Sequence, residues 1–501
     1  MTVRAFRPQF RGIVTKNVLR KDGVSSRYQA AQGDSGGILD ITPYLGDGST
    51  ISVHKGLYDP MGSFVFTVPD QPFTATPGAP PSDSIYGLVE AMDGVEIYLA
   101  RSPEQYGWSE SAVGQCPVLM RGFIRSVTRA ETMDRRGKPR RQVVVQGNDY
   151  GALFASFIAV YWWKYRVAGN SWPDEFAWMQ AYGEQFVAKQ TAEFMRIFLK
   201  LANDWLAKIY DQGGWTWRIA EKFSVTEGTN SPMGLMQAQG PVWAVMRSES
   251  DSPFNELWVS DERDAPTLNY RPTPWKTYKP QGRRLVGEYL PQFGQTIEAE
   301  TLDLDIADIV SIDAERGDAD VANIFWINNP LAQQGFHSIN LLIQGLQADD
   351  DSVVDKDYPN NHPEIYGDRL MQIDLRQTPT LIKGAPTGTK KETWKANDAE
   401  HWPNWMKARR AWLRDSQRDN SVFEEGSIVV KGDERWKAGT YARITRGALV
   451  WECYIVAVQN TFAPFREYTT RLTFIRGTGF WQRTLLERNP SWSEGKRGVY
   501  E

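Results

Sequence analysis

Val118-Leu-Met-Arg-Gly-Phe-Ile-Arg-Ser-Val127 and Arg141-Gln-Val-Val-Val-Gln-Gly147 flank the turn-rich segment Asp134-Arg-Arg-Gly-Lys-Pro139. Two β-branched runs around a Gly- and Pro-bearing polar segment predict a β-hairpin with a basic tip. The pattern returns near the end of the chain. Gly122-Phe-Ile-Arg-Ser-Val127 aligns with Cys453-Tyr-Ile-Val-Ala-Val458, an offset of 331, and Arg141 to Gly147 aligns with Arg471-Leu-Thr-Phe-Ile-Arg-Gly477, an offset of 330. Two hairpins can share an aromatic, a few β-branched residues and a glycine by coincidence. The alternative is a chain that carries two copies of one β-domain, each interrupted or followed by inserts.

Around these hairpins the coarse pattern is mainly β. Ile51–His54, Ser63–Val68 and Val95–Leu99 are short strand-like runs, set apart by Gly46–Gly48 and a Pro-rich loop from Pro69 to Pro81. Between Asp149 and Tyr210 the period changes: Phe194, Ile197, Phe198, Leu201, Trp205, Leu206 and Ile209 recur at three- and four-residue steps, as on an amphipathic helix. Strands return at Glu256–Val259, Thr267–Tyr270, Ile309–Ile312 and Asn323–Ile327, and a Trp-rich helix is expected over His401–Arg414. The closing block, Ser427–Lys431, Tyr441–Thr445, Leu449–Val458 and Tyr468–Arg476, is all β; Tyr468, Thr470, Leu472 and Phe474 share one face of its last strand. The expected class is α+β, mainly β, with two antiparallel β-barrel domains and helical and loop insertions. The expected units are 1–150, a first barrel; 151–250, a helical insertion with loops; 251–329 with 421–480, a second barrel; 330–420, a polar insertion; and 481–501, a tail.

A chain of 501 residues suits roughly three domains and is long enough to bury about three quarters of its unfolded surface without a disulfide or metal staple. Its 57 Lys+Arg against 61 Asp+Glu, a formal net charge of −4, argue against a free-standing nucleic-acid binder. The twenty Trp, 20 Tyr and 22 Phe suit a chain that buries large aromatic anchors at interfaces. Cys116 and Cys453 are too few for a disulfide framework or a four-thiolate zinc site and sit among apolar strand residues, so both read as buried thiols. The N-terminus lacks a signal-peptide core, and the most apolar stretch, Gly151 to Tyr161, is too short to span a bilayer; the expectation is a chain made in the cytoplasm, without stable membrane insertion.

Catalytic motifs fail one by one. Gly33-Asp-Ser-Gly-Gly37 matches a serine-protease nucleophile segment, but His54, His337, His362 and His401 all follow Ser35, the wrong chain order for that family. The four histidines make no metal-ligand spacing, and Asp349-Asp-Asp351 with Asp355 and Asp357 lacks the glycine and closing glutamate of a calcium loop. No Gly-rich phosphate loop is present, and no spacing singles out a carboxylate pair. The basic cluster Arg135, Arg136, Lys138, Arg140 and Arg141 reads as a solvated hairpin tip. No catalytic residue, cofactor site or metal site is therefore expected.

The strand units carry a resemblance. Arg121–Val127 followed by Lys138–Gly151 resembles the first barrel of the baseplate hub proteins of contractile-tailed bacteriophages. Pro253–Val259 with Pro266–Trp275 looks like that family's central segment, and Gly426–Gly432, Trp436–Tyr441, Glu452–Val458 and Tyr468–Gly477 are similar to its closing strands. Gly122, Phe123, Gly147, Gly432, Gly439, Tyr454 and Gly477 are the landmarks of the two barrels on this reading. The resemblance covers about half of the chain. It implies a virion protein of the tail baseplate without catalysis: a homotrimer, each subunit holding two tail-tube-like barrels. Such a ring joins the hexameric tail tube to the trimeric spike, contacts neighbouring baseplate proteins and lets genomic DNA pass through its lumen. A duplicated barrel is what a three-fold object needs to imitate a six-fold one. Two other readings stay open: a tail-associated cell-wall or polysaccharide hydrolase, and a receptor-binding tail-tip protein of a non-contractile phage.

Overall fold

The computed structural model describes residues 6–16, 38–70, 84–109, 113–133, 137, 139–161, 188–210, 218–225, 230–232, 239–281, 284–293, 295–328, 354–355, 357–375, 377, 390–446 and 449–479. Ser35, His337, Asp349–Asp351, the basic tip residues Arg135, Arg136 and Lys138, and the C-terminal tail lie outside them.

The fold is α+β and mainly β. A thirteen-stranded sheet dominates. Its first half holds β1 (Gln9–Thr15), β2 (Ile38–Asp40), β3 (Thr50–Gly56), β4 (Ser63–Pro69), β5 (Gly94–Ala100), β6 (Val118–Met133) and β7 (Pro139–Asp149). Strand β4 shows why: Phe64, Phe66 and Val68 are each buried while Ser63, Val65 and Thr67 alternate onto the other face, the two-residue period that a one-sided sheet demands. A separate three-stranded sheet joins β8 (Ala220–Phe223), β9 (Asn255–Asp261) and β10 (Pro266–Pro272), with β8 parallel and β9 antiparallel to β10. A hairpin of β11 (Lys276–Gln281) and β12 (Arg284–Tyr289) follows.

The sheet resumes with β13 (Thr301–Leu304) and β14 (Ile309–Glu315). A parallel pair, β15 (Ile324–Asn328) with β16 (Leu370–Asp374), intervenes before β17 (Glu424–Lys431), β18 (Tyr441–Arg446), β19 (Leu449–Ala463) and β20 (Glu467–Gly477) complete it. The order is β14-β17-β20-β19-β3-β4-β7-β6-β5-β1-β2, with β18 pairing β19 and β13 off this path. The face foreseen for β20 is the buried one: Tyr468, Thr470, Leu472 and Phe474 are inside, whereas Arg471 and Thr473 are exposed.

Three helices of eight or more residues lie among the described residues: α1 (Thr191–Tyr210), α2 (Val242–Glu249) and α3 (Lys390–Gln417). Phe194, Met195, Phe198, Ala202 and Leu206 of α1 form one fully buried stripe, packed with Trp243 and Met246 of α2 and with Leu268 and Tyr270 of β10. The stripe follows the 3.6-residue period, so the insertion shares its core with the small sheet. Helix α3 buries Trp405, Met406, Trp412 and Leu413 against Phe325, Ile327 and Phe254. It begins eleven residues before the sequence pattern suggested; the sequence of its first half is polar and shows no apolar period, so the pattern revealed only the second half.

Candidate functional site

Five strands of the large sheet, taken as β3-β4-β7-β6-β5, have counterparts in β14-β17-β20-β19-β18, each set antiparallel throughout and in the same order. We call these modules A and B. The match extends to single hydrogen bonds. In β6 the register shifts between Ile124 and Ser126, and in β19 between Ile455 and Ala457, so Arg125 and Val456 form the same bulge. Such bulges bend a strand and raise its twist. Just before β5 the Met92 N–H donates to Ile124 O at 2.7 Å and Ile124 N–H to Asp93 O at 2.9 Å; before β18 the Gly439 N–H donates to Ile455 O at 2.7 Å and Ile455 N–H to Thr440 O at 2.9 Å. Met92 and Gly439 both have positive φ, 76° and 85°. After the first sheet strand of each pair, Asp70 N–H donates to Arg141 O and Gly432 N–H to Tyr468 O.

This register keeps the first-strand offset of 331 read from the sequence and replaces the second. Ile124 faces Gly147 and Ile455 faces Phe474, an offset of 327 rather than 330. The three-residue difference is odd, and an odd slip moves every side chain to the opposite face. Gly147 therefore corresponds to Phe474 and not to Gly477. The reason the sequence misleads is that a cross-strand pair has been inverted: Phe64 lies opposite Gly147 in module A, and Gly426 lies opposite Phe474 in module B. One ring fills the shared space from either strand, which conserves volume. A charged pair is inverted in the same way. Glu96 faces Arg121 in module A, 3.5 Å apart, whereas Arg443 faces Glu452 in module B at 2.8 Å.

The landmark residues fall on these strands and their ends. Gly122 and Gly147 are tight approaches: a Cβ would lie 2.0 Å from Asn148 O and 2.2 Å from Phe123 O, respectively. Gly432 lies under the Tyr468 ring, Gly439 takes the positive φ, and Gly477 ends β20 against Trp451 and Glu424. Phe123 and Tyr454 are equivalent positions, and each anchors its module to the shared unit of α1, α2 and the small sheet. The Phe123 ring is 4.9 Å from that of Tyr150 and belongs to the core of α1 and α2. The Tyr454 hydroxyl donates to Glu256 of β9 at 2.8 Å and accepts from Arg271 of β10 at 2.8 Å.

The two modules meet where β19 changes partner. Its N-terminal half pairs β18, and residues 457–462 pair residues 56–51 of β3. Beside this junction is a cavity of about 740 Å³, lined by β3, β9, β10, β19 and residues 434–440. Several charged side chains in and beside it are paired. Lys55 is ion-paired with Asp149, 3.0 Å away, and with Asp261. Burial draws the Lys55 ammonium down, but the two carboxylates together outweigh it and hold it above its ordinary value. Burial pushes Asp261 up and Lys55 pulls it back. Arg271 joins Glu256, and Lys437 joins Glu262 at 2.7 Å. Among the described residues no group of three or more His, Cys, Asp or Glu is placed to hold a metal ion. Burial pushes the Cys116 thiol up to about 12, and Cys453, fully buried, is pushed up as well, so neither offers a thiolate nucleophile. Chemically, this arrangement fixes strands and units to one another.

No family model matches the chain, and no curated protein matches it by sequence. Among solved structures it is similar to a tail protein of Neisseria meningitidis, with TM-score 0.40, 10% identity and coverage of 86% of this chain and 93% of the other. It is also similar to the 43 kDa tail protein of prophage MuSo2 from Shewanella oneidensis, with TM-score 0.40, 10% identity and coverage of 88% and 94%. A chain of the phage P2 baseplate in its activated conformation aligns with TM-score 0.27, 10% identity and coverage of 93% and 99%. These structural neighbours are phage tail and baseplate proteins.

Proposed function

We propose that this chain is a structural virion protein, the hub of a contractile-tail baseplate. Three copies form a ring of six β-modules that joins a hexameric tail tube to a trimeric spike and leaves a lumen for DNA. The observation that carries this reading is the duplication: one chain folds the same five-stranded unit twice, down to the bulge, the register and the positive-φ residue. A protein that must present six similar units from three subunits needs such a repeat, because closed symmetric assemblies use the same patch on every copy. The near balance of 57 basic and 61 acidic residues suits a conduit through which DNA slides without being held. The chain has no catalytic role on this reading: the buried carboxylates of Asp149, Asp261 and Glu256 at the module junction are paired with Lys55 and Arg271. Among the described residues no helix is long and apolar enough to cross a membrane, in keeping with residence in the tail.

Light scattering on the purified protein, followed by negative-stain imaging, tests the proposal. The expected result is a mass three times 57.0 kDa and a ring with a central channel and six similar lobes. A monomer across the micromolar range, or cleared zones in zymograms on purified cell wall, overturns it.

A further inference from the structure

The duplication leaves two strand edges whose counterparts are paired. Residues 457–462 of β19 bind β3, but the equivalent stretch of β6, residues 126–131, pairs β7 alone among the described residues. Among the described residues strand β14, the counterpart of β3, ends the sheet and pairs only β17. Both edges face solvent: Ser126, Thr128, Arg129, Ser311, Asp313, Ala314 and Glu315 are exposed, and Val310 is 61% exposed. A seven-residue edge strand carrying an exposed valine and no proline or lysine is a template for a further strand.

We infer that these edges pair with each other between copies: β6 of one chain binds β14 of the next, antiparallel, through residues 126–131 and 312–317. The register follows by transferring the junction already present within the chain. Ala457 faces Gly56 and Phe462 faces Ile51. In the equivalent positions Ser126 faces Gly317, Thr128 faces Glu315, Ala130 faces Asp313 and Glu131 faces Ile312. The sequences of the two receiving strands agree with this transfer. Ile51-Ser-Val-His-Lys-Gly56 and Ile312-Asp-Ala-Glu-Arg-Gly317 share the isoleucine, a basic residue at the fifth place and the glycine at the sixth. No like charges stand directly opposite: Asp313 and Glu315 meet Ala130 and Thr128, and Arg316 meets Val127, so no pair opposes the contact. The contact is heterologous, module B of one copy on module A of another, and it repeats from chain to chain until the ring closes. Ring closure at three copies rests on the function proposed above; the strand pairing itself does not.

Directly opposite residues of an antiparallel pair have the Cα separation that a disulfide bridges. Chains bearing Thr128→Cys and chains bearing Glu315→Cys, co-expressed and mildly oxidised, are expected to form disulfide-linked dimers on denaturing gels, while either chain alone does not. The chain bearing both substitutions is expected to form a closed, covalently linked trimer. Replacing E315C by Ala314→Cys turns the thiol to the other sheet face and is expected to lower the linked fraction roughly tenfold. The buried native cysteines Cys116 and Cys453 leave the readout clean. A trimer by light scattering in which T128C and E315C do not link overturns this pairing and leaves the hub reading standing. Linkage in an assembly that is not a trimer supports the pairing and overturns the three-fold ring. A monomer overturns both.

Discussion

Replacing Lys55 by methionine removes the ammonium that is ion-paired with both carboxylates of a group tying three segments together: β3, which bears the lysine; the end of β7, which bears Asp149; and the end of β9, which bears Asp261. The side chains of Asp149 and Asp261 are 2% and 1% exposed, and that of Lys55 is 16% exposed, so solvent screens little of the interaction. Breaking a buried pair by deleting one partner costs about 3–5 kcal/mol, since it strands a charge in low dielectric. Here two like charges are stranded together, so the upper end of that range is expected at pH 7. The pH dependence has a definite sign. Burial already raises Asp261 in the folded chain, and Lys55 is the first influence opposing it; without the lysine it rises further. A carboxyl whose folded pKa exceeds its unfolded one binds more protons when folded, so its stability contribution is present at low pH and is lost as pH rises through the folded pKa. The deficit of K55M against the parent should therefore be small near pH 4 and grow toward pH 8. Urea unfolding at several pH values, read at the first transition, measures it, and Asp261→Asn in the K55M background should recover part of the loss. A deficit under about 1 kcal/mol, the worth of an exposed pair, or one that does not change with pH, would refute the reasoning.

Three further outcomes follow from the geometry. Met92→Gly should stabilise the protein by about 0.5–1 kcal/mol, since a left-handed non-glycine residue is strained and Gly439 fills the equivalent place in module B; a urea melt that shifts to lower denaturant contradicts the equivalence. Gly147→Ala should cost about 3 kcal/mol, as overpacking against fixed atoms: the added methyl meets the Phe123 carbonyl at 2.2 Å, backbone that cannot swing aside. Both thiols should resist iodoacetamide at pH 8 until the chain unfolds, because burial keeps them protonated; rapid labelling of the native protein, followed by mass spectrometry, would show otherwise.

Much of the secondary structure was legible because its signals are local. The alternation in β4 and β20 and the helical stripe of α1 are periodicities within one segment, and the likeness of β6 to β19 is a match between two short, contiguous ones. The strand β1 and the hairpin β11–β12 carried no such pattern strong enough to be noticed, and neither did the polar first half of α3.

The sequence alone determined that this chain is mainly β, that an amphipathic helix runs through Phe194 to Leu206, and that a hairpin near residue 122 has a relative near residue 453. Only the tertiary structure decided how far that kinship runs. Selection in a sheet acts on facing pairs, so Phe64 with Gly147 and Gly426 with Phe474, or Glu96 with Arg121 and Arg443 with Glu452, are the same solution written in opposite order on two strands. A linear alignment compares each strand with its counterpart and sees a mismatch; packing and charge see the pair, which is unchanged. The pairing of β3 with β19, across 401 residues from Gly56 to Ala457, is likewise set by edge hydrogen bonds that any extended segment can offer. Which edge meets which is therefore fixed in space and not in sequence.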